Sequence, residues 1–253
     1  MLPMDDLTGY FVTTDRAHAN EALDSLRSQG IPRPLVVIRN VRPYLAAVLP
    51  TLKCETPYCL ILDDDTILRP DVAQELVSRF REMRAAKPRG FKLSARVYDE
   101  VYQMWEKGGV MLFYTPHLLQ VGWPEAPHVA FAQHVIARRK GFEAFVCDIE
   151  AGIQKRGSYL DVYKKFFWDQ IRAQAGQLRA DSLADLARRA RAGTPWMWFA
   201  VLGVVDGKAA KAVRTSKDDH TLGPIARTLD FKTVKGGEVR RLLAKRGIKE
   251  AAG

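Results

Sequence analysis

The segment Tyr58-Cys59-Leu60-Ile61-Leu62-Asp63-Asp64-Asp65-Thr66 constrains this chain more than any other stretch. A short apolar run reads as a buried strand, and three carboxylates follow it with no basic residue between them. Adjacent negative charges repel one another and are costly near a core. The end of a strand in an open α/β sheet accommodates them, and that end is where such sheets bind ligands. Side chains alternate along an extended segment, so continued alternation predicts Asp63 and Asp65 on one face and Asp64 on the other. Two carboxylates on one face suit a hard cation such as Mg²⁺ or Mn²⁺, which takes oxygen ligands and bridges to substrate phosphates. A polar turn capping a helix at Pro70 needs one aspartate, and three are present.

The residues around this segment alternate between strand and helix signals. Gly9 to Thr14 reads as a strand, and 17–28 as a helix with Ala22, Leu23 and Leu26 on one face and Gly30 as its stop. Pro34 to Asn40 is a second strand, Pro43 opens a helix to about Lys53, and Pro70 opens another to about Ala86. Strand, helix, strand, helix, strand at these spacings implies right-handed crossovers and a mainly parallel sheet, hence the α/β class. Phe91–Val97 and Val110–Tyr114 read as further strands, with an irregular piece ending in Gly108-Gly109 between them. A helix over about 129–140 and a short strand at Phe142–Val146 follow.

Charge divides the chain. The net formal charge is +10; residues 1–150 hold 18 Lys/Arg against 19 Asp/Glu, and residues 151–253 hold 21 against 10. The excess therefore lies wholly in the second part, where the pattern is helical and basic. This predicts a core at 1–150 and a basic, mainly helical extension at 151–253. Such an extension favours an acidic partner, although basic residues at a helix end also serve the helix dipole. Asp181-Ser182-Leu183-Ala184-Asp185 reads as a helix start, and Trp196 and Trp198 read as core. The three cysteines, Cys54, Cys59 and Cys147, lack zinc-ligand spacing and read as free thiols of a reducing cytoplasm. No run approaches the ~20 apolar residues of a membrane span, and Met1 to Asp6 lacks the basic and apolar regions of a secretory signal.

From about Thr8 to Val146 the chain resembles nucleotide-sugar-dependent glycosyltransferases of the GT-A fold, of the bacterial and phage "family two" kind. Four pieces carry the resemblance in order. They are Phe11-Val12-Thr13-Thr14-Asp15-Arg16 with its helix, Pro57 to Thr66 as a DxD strand, Gly108 to Tyr114 with Leu119 to Glu125 as an acceptor-side strand and turn, and Arg138-Arg139-Lys140-Gly141-Phe142. The resemblance implies a Rossmann-like sheet with flanking helices and transfer of a sugar from a nucleotide-sugar donor, UDP-linked by expectation, to an acceptor hydroxyl. A divalent ion, Mn²⁺ or Mg²⁺, would stabilise the diphosphate leaving group. It implies that Asp65 binds the metal, that Asp63 contacts the ribose or a metal-bound water, and that Asp64 supports either. It places Thr13, Thr14, Asp15 and Arg16 at the nucleotide. Arg39 and Asn40 stand where the family often has an acidic residue near the base.

The catalytic base is the weakest match. Inverting members carry a carboxylate, often paired, ahead of the helix ending in the Arg/Gly pattern, and the corresponding stretch here offers Glu125 and His128, with His134 further on. His220 follows Asp218-Asp219 and is the candidate third metal ligand, with those carboxylates orienting its ring. The expected acceptor is a cell-envelope glycan or glycolipid, with the protein cytoplasmic and the extension resting on anionic lipid at the inner face of the membrane. Two alternatives stand beside it. One is glycosylation of a hydroxylated base in nucleic acid, with Tyr159, Tyr163, Phe166, Phe167 and Trp168 available to stack. The other is a basic nucleic-acid-binding protein with no catalytic role, for which no helix-turn-helix, zinc or RNA-recognition signature is present.

Overall fold

The computed structural model describes residues 4–14, 17–33, 35–40, 43–124, 129–155, 158–174, 182–194, 196–210 and 223–252. The chain forms two compact units, Met1–Gly157 and Ser158–Gly253.

The first unit runs β1 (Leu7–Thr13), α1 (Ala19–Arg27), β2 (Val36–Arg39), α2 (Pro43–Lys53), β3 (Tyr58–Asp63), β4 (Thr66–Leu68), α3 (Val72–Ala86), β5 (Gly90–Asp99), β6 (Met104–Tyr114), α4 (Thr115–Val121), α5 (Val129–Arg139) and β7 (Glu143–Gln154). Its strands form a seven-stranded sheet in the order β2-β1-β3-β6-β5-β7-β4. Strands β1, β2 and β3 are parallel, β6 is antiparallel to both β3 and β5, β7 is parallel to β5, and β4 is antiparallel to β7. Five strands therefore point one way, and β6 and β4 the other. This is the α/β architecture expected from the alternating pattern.

Alternation along the strands builds two apolar layers. Leu7 and Phe11 of β1 and Tyr58, Leu60 and Leu62 of β3 pack against Ala22, Leu23 and Leu26 of α1 and against Val72, Leu76, Val77 and Phe80 of α3. On the other face, Tyr10, Cys59, Ile61, Phe91 and Phe113 pack with Leu118 and Val121 of α4 and with Ile136 and Ala137 of α5. Helices on both faces make the sheet a buried middle layer. Burying each large apolar side chain there contributes on the order of 1.5–3 kcal/mol.

Three elements differ from expectation. The piece before Gly108-Gly109 is strand: β6 starts at Met104 and pairs with β5 through a register shift between Ser94 and Arg96. Its polar start, Glu106-Lys107, hid a hairpin arm whose partner supplies the pairing. The last strand continues to Gln154, because its end pairs with both β5 and β4. Residues 115–121, next to the expected acceptor-side turn, form the helix α4, with Pro116 in its first turn.

The second unit contains α6 (Tyr159–Gln174), α7 (Leu183–Arg191), α8 (Met197–Ala209), α9 (Gly236–Lys245) and α10 (Lys249–Ala252). Ser182 caps α7 by accepting from the Asp185 N–H. Tyr163, Phe166, Phe167, Trp168, Trp198 and Phe199 are buried, so these aromatics form this unit's core. Asp206, fully buried on α8, accepts hydrogen bonds from the N–H groups of Ile225 (3.0 Å) and Ala226 (2.9 Å) and from the Tyr163 hydroxyl (3.2 Å). Tyr163 in turn accepts from the Gly223 N–H at 2.7 Å.

Candidate functional site

The acidic run sits at the carboxyl end of β3, where the parallel strands β2, β1 and β3 meet the antiparallel β6. β3 ends at Asp63, and residues 64–65 form a turn before β4. Strand alternation therefore stops at Asp63, and each of the three carboxylates has its own surroundings.

Asp64 turns towards the end of β1. Its carboxylate accepts from the Thr13 hydroxyl at 2.9 Å and from the Thr14 N–H at 2.7 Å, with the Thr14 hydroxyl at 3.4 Å. Thr13 and Asp64 are buried while Thr14 is exposed. The Thr13 carbonyl also accepts from the Asn40 N–H at 2.9 Å, which joins the end of β2 to the same corner. Asn40 has φ +50°, a left-handed conformation that asparagine tolerates better than most residues. Thr13, Thr14, Asn40 and Asp64 are thus brought together, with Arg39 exposed at the end of β2.

Asp65 is buried and lies on the other side of the turn. Its Oδ1 accepts from Gln154 Nε2 at 3.1 Å and from the Thr66 hydroxyl at 3.4 Å, and its carbonyl accepts from the Lys155 N–H at 2.7 Å. The end of β7 therefore fixes both its side chain and its backbone. Gly109 packs against this turn: its φ is +70°, and a Cβ there would lie 2.4 Å from Thr66 Oγ1. The chain beyond the turn is tied to α1. Leu68 N–H donates to Ser25 Oγ, Gln29 Nε2 donates to the Arg69 carbonyl, and Ala73 N–H donates to Gln29 Oε1, each at 3.0 Å.

Asp63 continues the β3 face that carries Cys59 and Ile61. On the same face Lys92 of β5 is paired with Phe113 of β6, which is itself opposite Cys59. The Lys92 ammonium lies 5.5 Å from the centre of the Phe113 ring. Burial pulls it down to about 8; the Asp63 carboxylate opposes that shift and the Lys107 charge adds to it. The covered part of the His134 ring, and then the charges of Lys92, Lys107 and Arg138, hold that imidazole below its usual range.

Asp15, Arg16, Glu125, His128 and His220 lie outside the described residues. Among the described residues no three His, Cys, Asp or Glu side chains converge as a metal-ligand set. A Mg²⁺- or Mn²⁺-type ion is commonly held by one or two carboxylates with substrate phosphates and water completing the shell. Asp63, which ends β3, and Asp65, in the turn that follows, carry carboxylates of the type such an ion takes. Gln154, Ser25, Gln29 and Lys92 went unread in sequence. Their roles arise from pairings between distant segments, and Lys92 alone offered a signal, a charge two residues into an apolar strand.

Among the described helices none is long and apolar enough to cross a membrane. No family model matches the chain, and no curated protein matches it. Solved structures resemble it in chain trace. A mannosyltransferase from Pyrobaculum calidifontis, in complex with GDP-Man and Mn²⁺, is 15% identical over 98% of this chain and 84% of that chain, at a TM-score of 0.46. Residues 1–349 of TarS from S. aureus are 11% identical over 95% and 81%, at 0.44. A cytidylyltransferase from Leptospira borgpetersenii is 11% identical over 76% and 94%, at 0.41.

Proposed function

We propose that the chain is a glycosyltransferase that moves a sugar from a nucleotide-sugar donor to an acceptor hydroxyl. The observation that carries the reading is the placement of Asp63, Asp64 and Asp65 at the carboxyl end of β3, with Asp64 locked to Thr13, which ends β1, and to Thr14 after it. A buried carboxylate that organises the ends of β1 and β3 gives a nucleotide a fixed corner to bind. Thr14, Arg39 and Asn40 supply polar groups at its rim. Asp63 and Asp65 would hold a divalent ion, which when bound would stabilise charge on the departing diphosphate. Glu125 or His128 would take the proton from the acceptor hydroxyl. His134, held towards its neutral form, has the protonation state that a base requires.

The aromatic residues of α6 bear on the choice of acceptor. Phe166, Phe167 and Trp168 are buried in their own unit, so they do not form a stacking platform for bases. A glycan or glycolipid acceptor suits the second unit better, with its basic side chains meeting acidic groups. Some of those arginines serve local structure: Arg188 and Arg189 pair with Asp185, and Arg191 donates to the Glu250 carbonyl.

Calorimetric titration of UDP, GDP, CDP and TDP with and without Mn²⁺ tests the reading. One nucleotide should bind with metal dependence, and Asp65→Asn should weaken that binding by at least about tenfold, roughly 1.4 kcal/mol. Folded protein that binds none of the four would exclude a donor site at this corner.

A further inference from the structure

A second cluster of reactive side chains lies at the end of β3 opposite the acidic turn. Cys59 is the second residue of that strand and Asp63 the last, roughly 13 Å further along. Parallel pairing sets Thr8 of β1 beside Cys59 and Tyr10 beside Ile61, so Thr8, Tyr10 and Cys59 share one face of the sheet. Cys54 follows α2 and packs against that face, in the apolar layer that holds Tyr10 and Cys59. Its sulfur is fixed by several contacts. It lies 3.3 Å from the Thr56 hydroxyl, which is itself 2.8 Å from the hydroxyl of Thr8 beside Cys59. It is 3.7 Å from the carbonyl oxygen of Tyr58, the residue joined to Cys59, and it accepts from the Thr115 hydroxyl at 3.4 Å.

The two thiols are unlike. Cys54 is half-buried, whereas Cys59 is fully buried. A hydrogen bond from the Cys59 thiol, then the threonine contacts, pull Cys54 down to about 5 against the effect of burial, and burial pushes Cys59 well up. One sulfur is therefore the better nucleophile and the one that solvent reaches, and the other keeps a proton to give. A third group faces the pair. The Tyr10 hydroxyl is buried with no hydrogen-bond partner of ordinary geometry among the described residues, and after burial it is Cys54 that raises it most. A buried O–H without an acceptor is rare. An oxygen added to the Cys54 sulfur would give it one.

We propose that Cys54 and Cys59 are an oxidation site for hydroperoxides, in which Cys54 is attacked first and Cys59 converts the product into a Cys54–Cys59 disulfide. The Cys54 sulfur attacks one oxygen of hydrogen peroxide, the O–O bond breaks, and the Cys54 proton leaves with the second oxygen as water. The Cys59 sulfur then attacks the sulfur of the resulting sulfenic acid. The S–O bond breaks, and the hydroxyl leaves with the Cys59 proton as a second water. Two thiols lose two electrons, and the peroxide takes them up. The new bond staples the segment after α2 to β3.

Exposure of the reduced full chain to hydrogen peroxide at pH 7, followed by alkylation and peptide mass spectrometry, tests this. The wild type should lose two hydrogens, and cleavage after Glu55 should leave the Cys54 and Cys59 peptides joined until a reductant is added. Cys147, buried on the opposite face of the sheet, is the internal control and should react at least about tenfold more slowly. Cys59→Ala should leave the sulfenic acid at Cys54, where dimedone traps it. Cys54→Ser, a change at a half-buried position, should leave Cys59 unoxidised. No linkage in the wild type, linkage through Cys147 or between chains, or undiminished oxidation of Cys59 in Cys54→Ser overturns the proposal. If Cys59→Ala does not fold, the wild type and Cys54→Ser decide.

Discussion

Cys54 carries a thiol held well below its usual range. It follows α2, half-buried, and its sulfur is within hydrogen-bond distance of the Thr56 hydroxyl (3.3 Å) and accepts from the Thr115 hydroxyl (3.4 Å). A hydrogen bond with Cys59, together with the threonine contacts, pulls it down to about 5 against the opposing effect of burial. Cys59 is pushed well up by its complete burial, and Cys147 is raised by burial as well. A depressed thiol is thiolate above its pKa, so this shift favours thiolate at Cys54 and thiol at Cys59 and Cys147 at neutral pH. Iodoacetamide at pH 6.5 should label Cys54 alone in the native protein, at a rate nearly constant from pH 6.5 to 8.5, as read by peptide mass spectrometry. A rate that rises about tenfold per pH unit over that range would mean an ordinary thiol. At this scale sequence was informative where chemistry is local. Three aspartates after a strand announce themselves, whereas the grip of Gln154 on Asp65 spans 89 residues and leaves no local trace.

Among the elements, β4 is the shortest strand and the one on which the acidic turn depends. Its three residues pair with Gly152, Ile153 and Gln154 of β7. The pairing is close because Gly152 has no side chain: a Cβ there would lie 2.0 Å from the Ile67 carbonyl oxygen. Gly152→Ala should therefore push β4 off the sheet, costing about 1–3 kcal/mol or more in urea unfolding. It should weaken metal-dependent nucleotide binding through displacement of Gln154 and Asp65, while Gly237→Ala, where a Cβ meets nothing, serves as the control. A Gly152→Ala protein with unchanged stability would contradict the observed register. The longer elements were legible because their periodicities are strong: β1, β3, α1 and α3 follow the apolar pattern closely. The first half of β6 and the second half of β7 were not, because polar residues on one face of a hairpin or edge strand look like loop until the partner strand is known. α4 did carry a signal, the Thr115-Pro116 start, that the reading of 110–114 as strand and 119–125 as part of an acceptor-side turn passed over.

For the molecule as a whole, the two units have different sources of stability. The first is a sheet with helices on both faces, and the second is a helical unit organised around buried aromatics and Asp206. Removing the Asp206 carboxylate strands two N–H donors and a tyrosine hydroxyl in an apolar interior, each at about 1–3 kcal/mol. Asp206→Ala should therefore cost the second unit several-fold to a hundredfold or more of its exchange protection over 159–174 and 197–209. Amides of β3 and β5 should stay protected in hydrogen–deuterium exchange. Equal loss in both units would show that they unfold as one. The charge division was legible as a number, but not that several arginines of α7 serve pairs and caps within their own unit. The sheet order has a further consequence in time. β3 and β4 are separated by two residues in the chain, yet one lies mid-sheet and the other at the far edge, so the turn between them closes only when β7 arrives. On a ribosome making about 5–20 residues per second, the three aspartates emerge roughly 5–20 s before the glutamine that holds Asp65. Until then the nascent chain carries its carboxylates without the edge that shapes them.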